Sequence, residues 1–456
     1  MNKTRFFTVL LCLVMVLTMA AGCSNSSDPA PSNSGSELGK DPVTIVFWHS
    51  MQDKAGAQLD ALVKEFNEGP GKELQITVEA IYQGKYSDSV TKMNSVLTSN
   101  NKNDLPDVMN LDATGKVSYA SSDAAYTMDD ALKADADYDT SKILKAALGN
   151  WNYAGVQLGM PFATSTSVTY YNKTMLDAAG VTSAPSTFAD ISALVAKIPE
   201  TTSDNKKIVA LQGSPNTPSL ANYIGQLGGY VVDKKNGSEG SATKLTCVED
   251  GTLSKFLTAW KAMYDAGALE VTDPDTDAFV AGQVAVLTTS SSNIETLIGK
   301  IDGKFELGVS NYIRVDDSAT EGATISGSCL VMFDKDDSLK KAASWEFVKF
   351  MASAESQAKF AVATGYVPCN SGAADVQEYI DLLDEYPQFA VPAAQIAATP
   401  DTMISVTVGP SMDFYYAIQN NVSDMLTNNL TVEKTIENMV EELNGLLDQY
   451  NMANPS

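Results

Sequence analysis

The chain has 456 residues, with 31 Lys and Arg against 56 Asp and Glu, and a formal charge of −25 at pH 7. A protein this acidic repels phosphate backbones, so nucleic acid is excluded as an expected partner. Hydrophobic residues make up 44% of the chain, which excludes wholesale disorder. The length predicts about two or three domains of ordinary size.

The N-terminal residues have the pattern of a secretion signal. Lys3 and Arg5 precede an apolar run, Phe6 to Ala21, that ends in small residues. Because this run is shorter than the roughly 20 residues that span a bilayer, we expect residues 1–22 to be a removed signal peptide. The mature chain, with a charge of −27 after losing two cations, is then expected to have no membrane-spanning helix.

The residues Ala20, Ala21, Gly22 and Cys23 resemble the signal of bacterial lipoproteins. The resemblance implies that Cys23 is lipidated and anchors the protein outside the cytoplasm, to the bacterial cell membrane. Residues 23–42 are rich in Ser, Asn, Pro and Gly after that cysteine and predict a flexible tether. A soluble secreted protein cut near Ala20 is the alternative.

The three cysteines of the folded body, Cys247, Cys329 and Cys369, are far apart in the sequence. They form no CxxC pair, and His49 is the one histidine of the chain, so a structural zinc site is not expected. We predict buried, inert thiols.

From Val43 onward, short apolar strands alternate with amphipathic helices. Strands are predicted at Val43–Trp48, Leu74–Tyr82 and Pro106–Leu111, with helices at Ala55–Phe66 and Tyr86–Thr98 between them. This order predicts a parallel α/β sheet.

Ligands of such sheets bind beyond the carboxyl ends of the strands. Here these ends are Trp48 and His49, the segment Tyr82–Tyr86, and Asp112.

The later chain is richer in helix. Helices are predicted at Tyr171–Gly180, Phe188–Ile198, Leu253–Gly267, Ala342–Thr364 and Val432–Tyr450. The segment Gly228–Gly240 predicts a hairpin or surface loop. No linker composition occurs between Asp41 and Tyr450, so two domains would be joined by several crossings.

Motifs of catalysis and cofactor binding are absent. The sequence has no GxxxxGK[ST], GxGxxG, HExxH or GxSxG, and its acidic loop at Asp273–Asp277 lacks the Gly and Glu of a calcium loop. We therefore expect no cofactor and no metal. A pair of carboxylates acting as in a glycosidase would leave no sequence signature, so this alternative stays open.

Several segments, in order, resemble the carbohydrate-binding extracellular solute-binding proteins of bacterial ABC importers, the family of maltose- and glycerol-3-phosphate-binding proteins. They are VTIVFWHSM (Val43–Met51), LPDVMNLD (Leu105–Asp112), MPFATSTSVTYYNKTMLDAAGV (Met160–Val181), FVAGQVAVLTTSSSN (Phe279–Asn293) and ATGYVPCN (Ala363–Asn370).

The resemblance implies an α/β fold of two lobes, joined by three hinge crossings, with a ligand cleft between them. It suggests crossings near Met160, Asn293 and Asp334. Lobe one would then be 43–159 plus 294–333, and lobe two 160–293 plus 334–456.

The implied function is capture of a mono- or oligosaccharide by a monomer that passes it to the membrane subunits of an ABC permease. No reaction on the sugar is implied. A surface-anchored glycosidase or lyase, and a sensory or adhesive lipoprotein, are competing interpretations.

Asp112 is the first candidate for ligand binding, because a carboxylate at a strand end can accept two sugar hydroxyls. A helix-capping role is its alternative. Tyr86, in YQGKY, matches a ligand-contacting Tyr of the family, and its ring could lie against a sugar face. The resemblance adds five contact positions, which are Thr164, Ser291, Ser292, Gly327 and Tyr366. The end of the first strand adds two further candidates that could equally pack or cap, Trp48 and His49.

One departure from the family bears on the ligand. Where the glycerol-3-phosphate branch has an Arg for the phosphate, the segment Val406–Phe414 contains no cation. This favours a neutral carbohydrate, with glycerol-3-phosphate or a phosphodiester as the alternative ligand.

Overall fold

The computed structural model describes residues 38–99 and 101–454. The predicted signal peptide and the predicted lipidation site, Cys23, lie outside the described residues. The end of the predicted tether is described, and it contacts the body: the Gly39 amide donates to the Leu74 carbonyl at 3.0 Å. The Gln75 side chain donates back to the Gly39 carbonyl. From Gly39 onward the chain is therefore held against the fold, a few residues before the tether was expected to end.

The strands alternate with helices as far as Asp112 and are irregularly spaced after it. They are β1 (Val43–His49), β2 (Ile76–Tyr82), β3 (Val108–Asp112), β4 (Ala125–Tyr126), β5 (Asn152–Tyr153), β6 (Val156–Gln157), β7 (Met160–Asn172), β8 (Val209–Gln212), β9 (Leu269–Glu270), β10 (Val284–Ser290), β11 (Leu307–Ser310) and β12 (Ile325–Phe333).

The helices of five or more residues cover both faces of the sheets. They are α1 (Asp53–Glu68), α2 (Tyr86–Ser99), α3 (Lys116–Ala120), α4 (Met128–Ala134), α5 (Lys145–Asn150), α6 (Lys173–Ala178), α7 (Phe188–Leu194), α8 (Thr217–Gln226), α9 (Thr252–Asp265), α10 (Thr276–Val280), α11 (Ile294–Ile301), α12 (Ser338–Met351), α13 (Ala354–Thr364), α14 (Gln377–Glu385), α15 (Ala390–Ala398), α16 (Ser411–Thr427) and α17 (Val432–Ala453).

Two long strands, β7 and β12, connect the two halves of the structure. The strand order is β2-β1-β3-β12-β7-β10-β8-β9, with β4 beside β12 and β11 beside β7. The first half of β7 pairs with β12, whereas its second half pairs with β10 and β11. One strand thus passes from the sheet of lobe one into the sheet of lobe two.

The predicted parallel sheet is present in lobe one, where β1 pairs in parallel with β2 and with β3. The aromatic rings of its core come from distant parts of the chain. Phe347 of α12 lies edge-on to Phe47 of β1 and to Phe66 of α1, with ring centroids 5.2 Å and 5.3 Å away. Phe360 of α13 belongs to the same core.

The core of lobe two is separate and is also rich in aromatic rings. Tyr223 of α8 stacks on Phe256 of α9 at 5.0 Å and meets Phe188 of α7 edge-on at the same distance. Ile294 and Leu297 of α11 pack in this lobe, against β7 and β10.

The packing corrects two of the expected lobe boundaries. Residues 294–324, expected in lobe one, lie in lobe two, because α11 packs on β10 and β11 pairs with β7. Residues 334–364, expected in lobe two, lie in lobe one, because α12 and α13 cover β1 and α1. The chain therefore passes between the cores within β7, at the start of β12 and along α14, which packs on α13 and on the core of lobe two. Before α14 the chain still belongs to lobe one, because the Ser371 amide donates to the Lys142 carbonyl at 2.8 Å.

Most predicted helices are present, with local differences. The predicted helix Ala342–Thr364 is two helices, because the Ser353 hydroxyl accepts from the Ser356 amide at 3.2 Å and starts α13 there. Tyr171 belongs to β7, and α6 begins two residues later. The predicted surface loop at Gly228–Gly240 is partly internal, since Val231 and Val232 are fully buried.

Cys247, Cys329 and Cys369 are buried and free, in agreement with the prediction of buried thiols. In the described part of the chain, the helices are too short or too polar to cross a lipid bilayer.

Candidate ligand-binding cleft

Of the cavities that lie between the lobes, two contain residues predicted for the ligand site, and both are lined by residues of the two lobes. The first, about 940 Å³, is lined by Ser50–Ala55 and Lys85–Ser87 of lobe one, by residues at the start of α11, and by Tyr366. We call it the lysine cavity, since Lys54, Lys85 and Lys300 are in its wall.

The second, about 500 Å³, is lined by Asp112 of lobe one, Asp273 and α16 of lobe two, and Gly327 of the crossing strand β12. We call it the tyrosine cavity, since Tyr415 and Tyr416 are in its wall. Both volumes are in the usual range of small-molecule sites, about 300 to 1,000 Å³.

Asp112 ends β3, where the sheet topology expects a ligand group. Its carboxylate is half-buried and accepts a hydrogen bond from the Thr114 hydroxyl at 2.6 Å. Burial raises the pKa of Asp112 above its ordinary value, and the hydrogen bonds from Thr114 oppose this rise. A group that binds this carboxylate through hydroxyls or a positive charge would compensate for its lost hydration.

Tyr86 starts α2 and lies at the inner end of the lysine cavity. The turn before it requires Gly84, because φ is +88° there and a Cβ would lie 2.6 Å from the Asp88 carboxylate. Burial, then Tyr366, raise the pKa of Tyr86 well above its ordinary value, and Asp112 adds to this rise.

Tyr366 follows α13, and its ring stacks on Phe360 with centroids 5.5 Å apart. Burial raises the pKa of Tyr366, against a hydrogen bond with the Ser292 side chain that lowers it. The structure therefore brings Tyr86, Ser292 and Tyr366 together in the lysine cavity, and Asp112 and Gly327 together in the tyrosine cavity.

The other predicted site residues lie outside these walls. Thr164 is 2% exposed and pairs through its backbone with Val367. Ser291 is fully buried, and its hydroxyl accepts from the Thr166 amide at 3.3 Å. Both residues support the crossing strands instead of facing either cavity.

Trp48 is 5% exposed and packs in the core of lobe one, with the Lys92 ammonium 4.2 Å from its ring centroid. His49 lies beside Tyr82, with ring centroids 5.8 Å apart, in a shallow groove next to the lysine cavity. Burial lowers the pKa of His49. These two residues are thus close to the cleft without lining either cavity.

Several residues of lobe two that face the cleft were not predicted from the sequence. Tyr415, Tyr416 and Asp273 line the tyrosine cavity, and Glu295 of α11 forms an ion pair with Lys54 of α1 in the lysine cavity. Adjacent tyrosines on an amphipathic helix were an available signal for the tyrosine cavity. The ion pair had none, since its partners are 241 residues apart.

The segment Val406–Phe414, which contains no cation of its own, has a lysine beside it. Lys116 is 3% exposed, and its ammonium donates to the Thr407 hydroxyl at 3.2 Å. Burial lowers the pKa of Lys116 to about 8. Lys116 is in the wall of neither cavity, so its ammonium does not face a ligand in either one.

Comparisons with known proteins agree with this architecture. The sn-glycerol-3-phosphate-binding periplasmic protein UgpB of Pectobacterium atrosepticum is 23% identical over 463 residues, which cover 99% of this chain and 98% of that protein. The crystal structure of UgpB from Mycobacterium tuberculosis in complex with glycerophosphocholine superposes with a TM-score of 0.73 at 21% identity, over 90% of this chain and 100% of that one.

A second solved structure, the substrate-binding protein Lmo0181 from Listeria monocytogenes in complex with cycloalternan, superposes with a TM-score of 0.69 at 21% identity, over 91% of this chain and 99% of that one. The model of the family described as "Bacterial extracellular solute-binding protein" matches residues 61–390, well over half of the sequence. With two lobes, three crossings and a cleft between them, this chain belongs to the family of bacterial extracellular solute-binding proteins.

Proposed function

We propose that this protein captures a mono- or oligosaccharide between its lobes and delivers it to the membrane subunits of an ABC permease. It acts outside the cytoplasm as a monomer, anchored through a lipid on Cys23, and performs no reaction on the sugar. The observation that carries this proposal is the half-buried Asp112 carboxylate, at a strand end and in the wall of a cavity between the lobes.

The cleft has the chemistry that a sugar requires. Each hydrogen bond from a sugar hydroxyl to a carboxylate contributes about 1.5 to 3 kcal/mol, and tyrosine rings can lie against the apolar C–H face of a sugar. A micromolar ligand corresponds to about −8 kcal/mol. Asp112, Tyr86 and a few neutral hydrogen bonds can supply this energy.

A glycerol phosphate is the second candidate ligand. Its support is the three lysines of the lysine cavity, together with the UgpB relatives. However, the Lys54 ammonium pairs with Glu295, and the Lys300 ammonium is 2.7 Å from Asp277, so two of the three charges are already compensated. This makes a carbohydrate the preferred class.

The test of the proposal is a melting-temperature screen of neutral saccharides, amino sugars and glycerol-3-phosphate, followed by calorimetry on the best ligand. A ligand at 100 times its dissociation constant adds about 2.7 kcal/mol of stability. Asp112→Ala should weaken the binding of that ligand at least about tenfold, or 1.4 kcal/mol. Asp384→Ala, at an exposed carboxylate of α14 outside both cavity walls, is the control and should bind as the wild type does.

Two outcomes would contradict the proposal. If no saccharide raises the melting temperature, the carbohydrate class is wrong. If oligosaccharides incubated with the protein gain reducing ends, the protein is a glycosidase and not a capture protein.

A further inference from the structure

The two cavities of the cleft differ in charge. The wall of the lysine cavity contains Asp53 and Glu295 beside its three lysines. Among the described residues, the wall of the tyrosine cavity contains two carboxylates, Asp112 and Asp273, and neither Lys nor Arg. A chain of net charge −25 also concentrates cations in such a cavity.

The carboxylates are fixed by neutral donors. Thr114 donates to Asp112 at 2.6 Å, and the Gln419 side-chain amide donates to Asp273 at 2.6 Å. These bonds orient the carboxylates without neutralising them, so both charges remain available to a ligand.

The α16 helix adds aromatic and polarisable surface to the same cavity. The rings of Tyr415 and Tyr416 lie nearly perpendicular, with centroids 5.3 Å apart. The Tyr415 hydroxyl accepts from the Asn216 side chain at 2.9 Å, which holds that ring, while Tyr416 is 52% exposed. Met412, one turn before Tyr416 on the same helix face, is 40% exposed.

Carboxylates beside tyrosine rings suit a cation better than a neutral group. The face of a tyrosine ring attracts an ammonium group, and the attraction grows when water is excluded. A ligand that offered this cavity only hydroxyls would leave the half-buried charge of Asp112 without a counter-charge.

We infer that the captured ligand carries a positively charged nitrogen, which occupies the tyrosine cavity between Asp112, Asp273 and the rings of Tyr415 and Tyr416. This inference rests on the proposed function and narrows its ligand class to saccharides with a protonated amine. The same charge could come from the quaternary ammonium of a glycerol phosphodiester, so the experiment must distinguish these sources.

The experiment is calorimetry of the full chain with ligands matched in shape and different in charge. The disaccharide of β-1,4-linked glucosamine carries protonated amines, its N-acetylated form does not, and cellobiose has hydroxyls at the same positions. Glycerophosphocholine and glycerol-3-phosphate form the second matched set. We expect the free-amine disaccharide to bind at least about tenfold more tightly than cellobiose at low salt, with a smaller difference at 0.5 M NaCl because salt screens the charges.

Variants test whether the preference for the amine disaccharide arises in the tyrosine cavity. Asp273→Asn should weaken binding of the amine disaccharide about fivefold more than binding of cellobiose, because the side-chain amide can still accept a hydrogen bond from Gln419 but carries no charge. Tyr416→Ala should weaken amine binding, whereas Tyr416→Phe should retain it, since the ring attracts the cation. Asp384→Asn, at the exposed α14 carboxylate, is the matched charge control and should leave the ratio of the two affinities unchanged.

The outcomes separate the two proposals. Equal binding of the amine and neutral sugars, or an equal loss of both in Asp273→Asn, overturns the inference and leaves the sugar-capture function standing. Preference for glycerophosphocholine over every sugar supports the charged nitrogen and overturns the carbohydrate class. Binding of none of these ligands overturns both.

Discussion

Lys116 shows how much the surroundings of a single residue change its chemistry. In the sequence it is an ordinary lysine of a short helix, but in the structure its ammonium is buried and donates to the Thr407 hydroxyl. The acceptor of this hydrogen bond is a neutral hydroxyl and not a carboxylate. Burial therefore lowers the pKa of Lys116 from 10.5 to about 8.

We predict that Lys116→Met stabilises the protein at pH 7. Keeping the Lys116 ammonium charged in the folded state lowers the free energy of unfolding by about 3 kcal/mol, which corresponds to the fall of its pKa from 10.5 to about 8. The cost is present in full below pH 8, where both states are protonated, and disappears as the pH rises to 10.5, where both are neutral. The stability of the wild type should therefore approach that of the variant between pH 8 and 10.5.

Urea unfolding of both proteins at several pH values measures this difference. Lys434→Met, at an exposed lysine of α17, is the control and should change stability by less than about 0.5 kcal/mol. A Lys116→Met variant less stable than the wild type at pH 7 would show that the Thr407 hydrogen bond outweighs the buried charge.

At the scale of elements, the crossing of β7 and β12 depends on one glycine. Gly327 has a φ of +108°, and a Cβ at this position would lie 1.8 Å from the Ala163 carbonyl oxygen. The two strands can approach and pass between the lobes only because this side chain is absent. The family resemblance matched Gly327 to a ligand contact, and the structure adds a backbone reason for the same residue.

Gly327→Ala should therefore destabilise the protein by at least about 3 kcal/mol, from the unfavourable φ and the clash with β7. The control is Gly445→Ala in α17, where a Cβ meets no atom within 4 Å. That change should stabilise by about 0.5 to 1 kcal/mol, because alanine favours a helix interior over glycine. Thermal unfolding of both variants decides the point, and a Gly327→Ala variant that melts with the wild type would contradict the role given to the crossing.

At the scale of the whole molecule, an ion pair connects the lobes across the lysine cavity. Lys54 lies near the start of α1 in lobe one, and Glu295 lies near the start of α11 in lobe two. Their side chains are 66% and 24% exposed, respectively. Such a partly exposed pair contributes at most about 1 kcal/mol, which shifts an equilibrium between open and closed lobes about fivefold.

Lys54→Glu should accordingly shift the ligand-free protein toward open lobes, which small-angle scattering would detect as a larger radius of gyration. The double variant Lys54→Glu with Glu295→Lys restores opposite charges and should return the radius toward that of the wild type. High salt should reduce the differences, because it screens exposed charges. Identical scattering profiles for all three proteins would exclude a contribution of this pair to closure.

The predicted elements fall into those set by local pattern and those set by distant packing. The order β1, α1, β2, α2, β3 and the position of Asp112 at a strand end follow from apolar spacing in adjacent residues, and the structure confirms them. Local spacing reports which residues are buried and in what kind of element.

The spacing of apolar residues does not show which of two similar sheets a helix covers. The crossings suggested by the family resemblance put the helices α12 and α13 in lobe two, whereas they pack in lobe one, to which β12 returns the chain. The tyrosine cavity and the Lys54–Glu295 pair were likewise decided by tertiary structure, because Asp112 and Tyr415, like Lys54 and Glu295, are distant in the sequence and come together only where the lobes face each other.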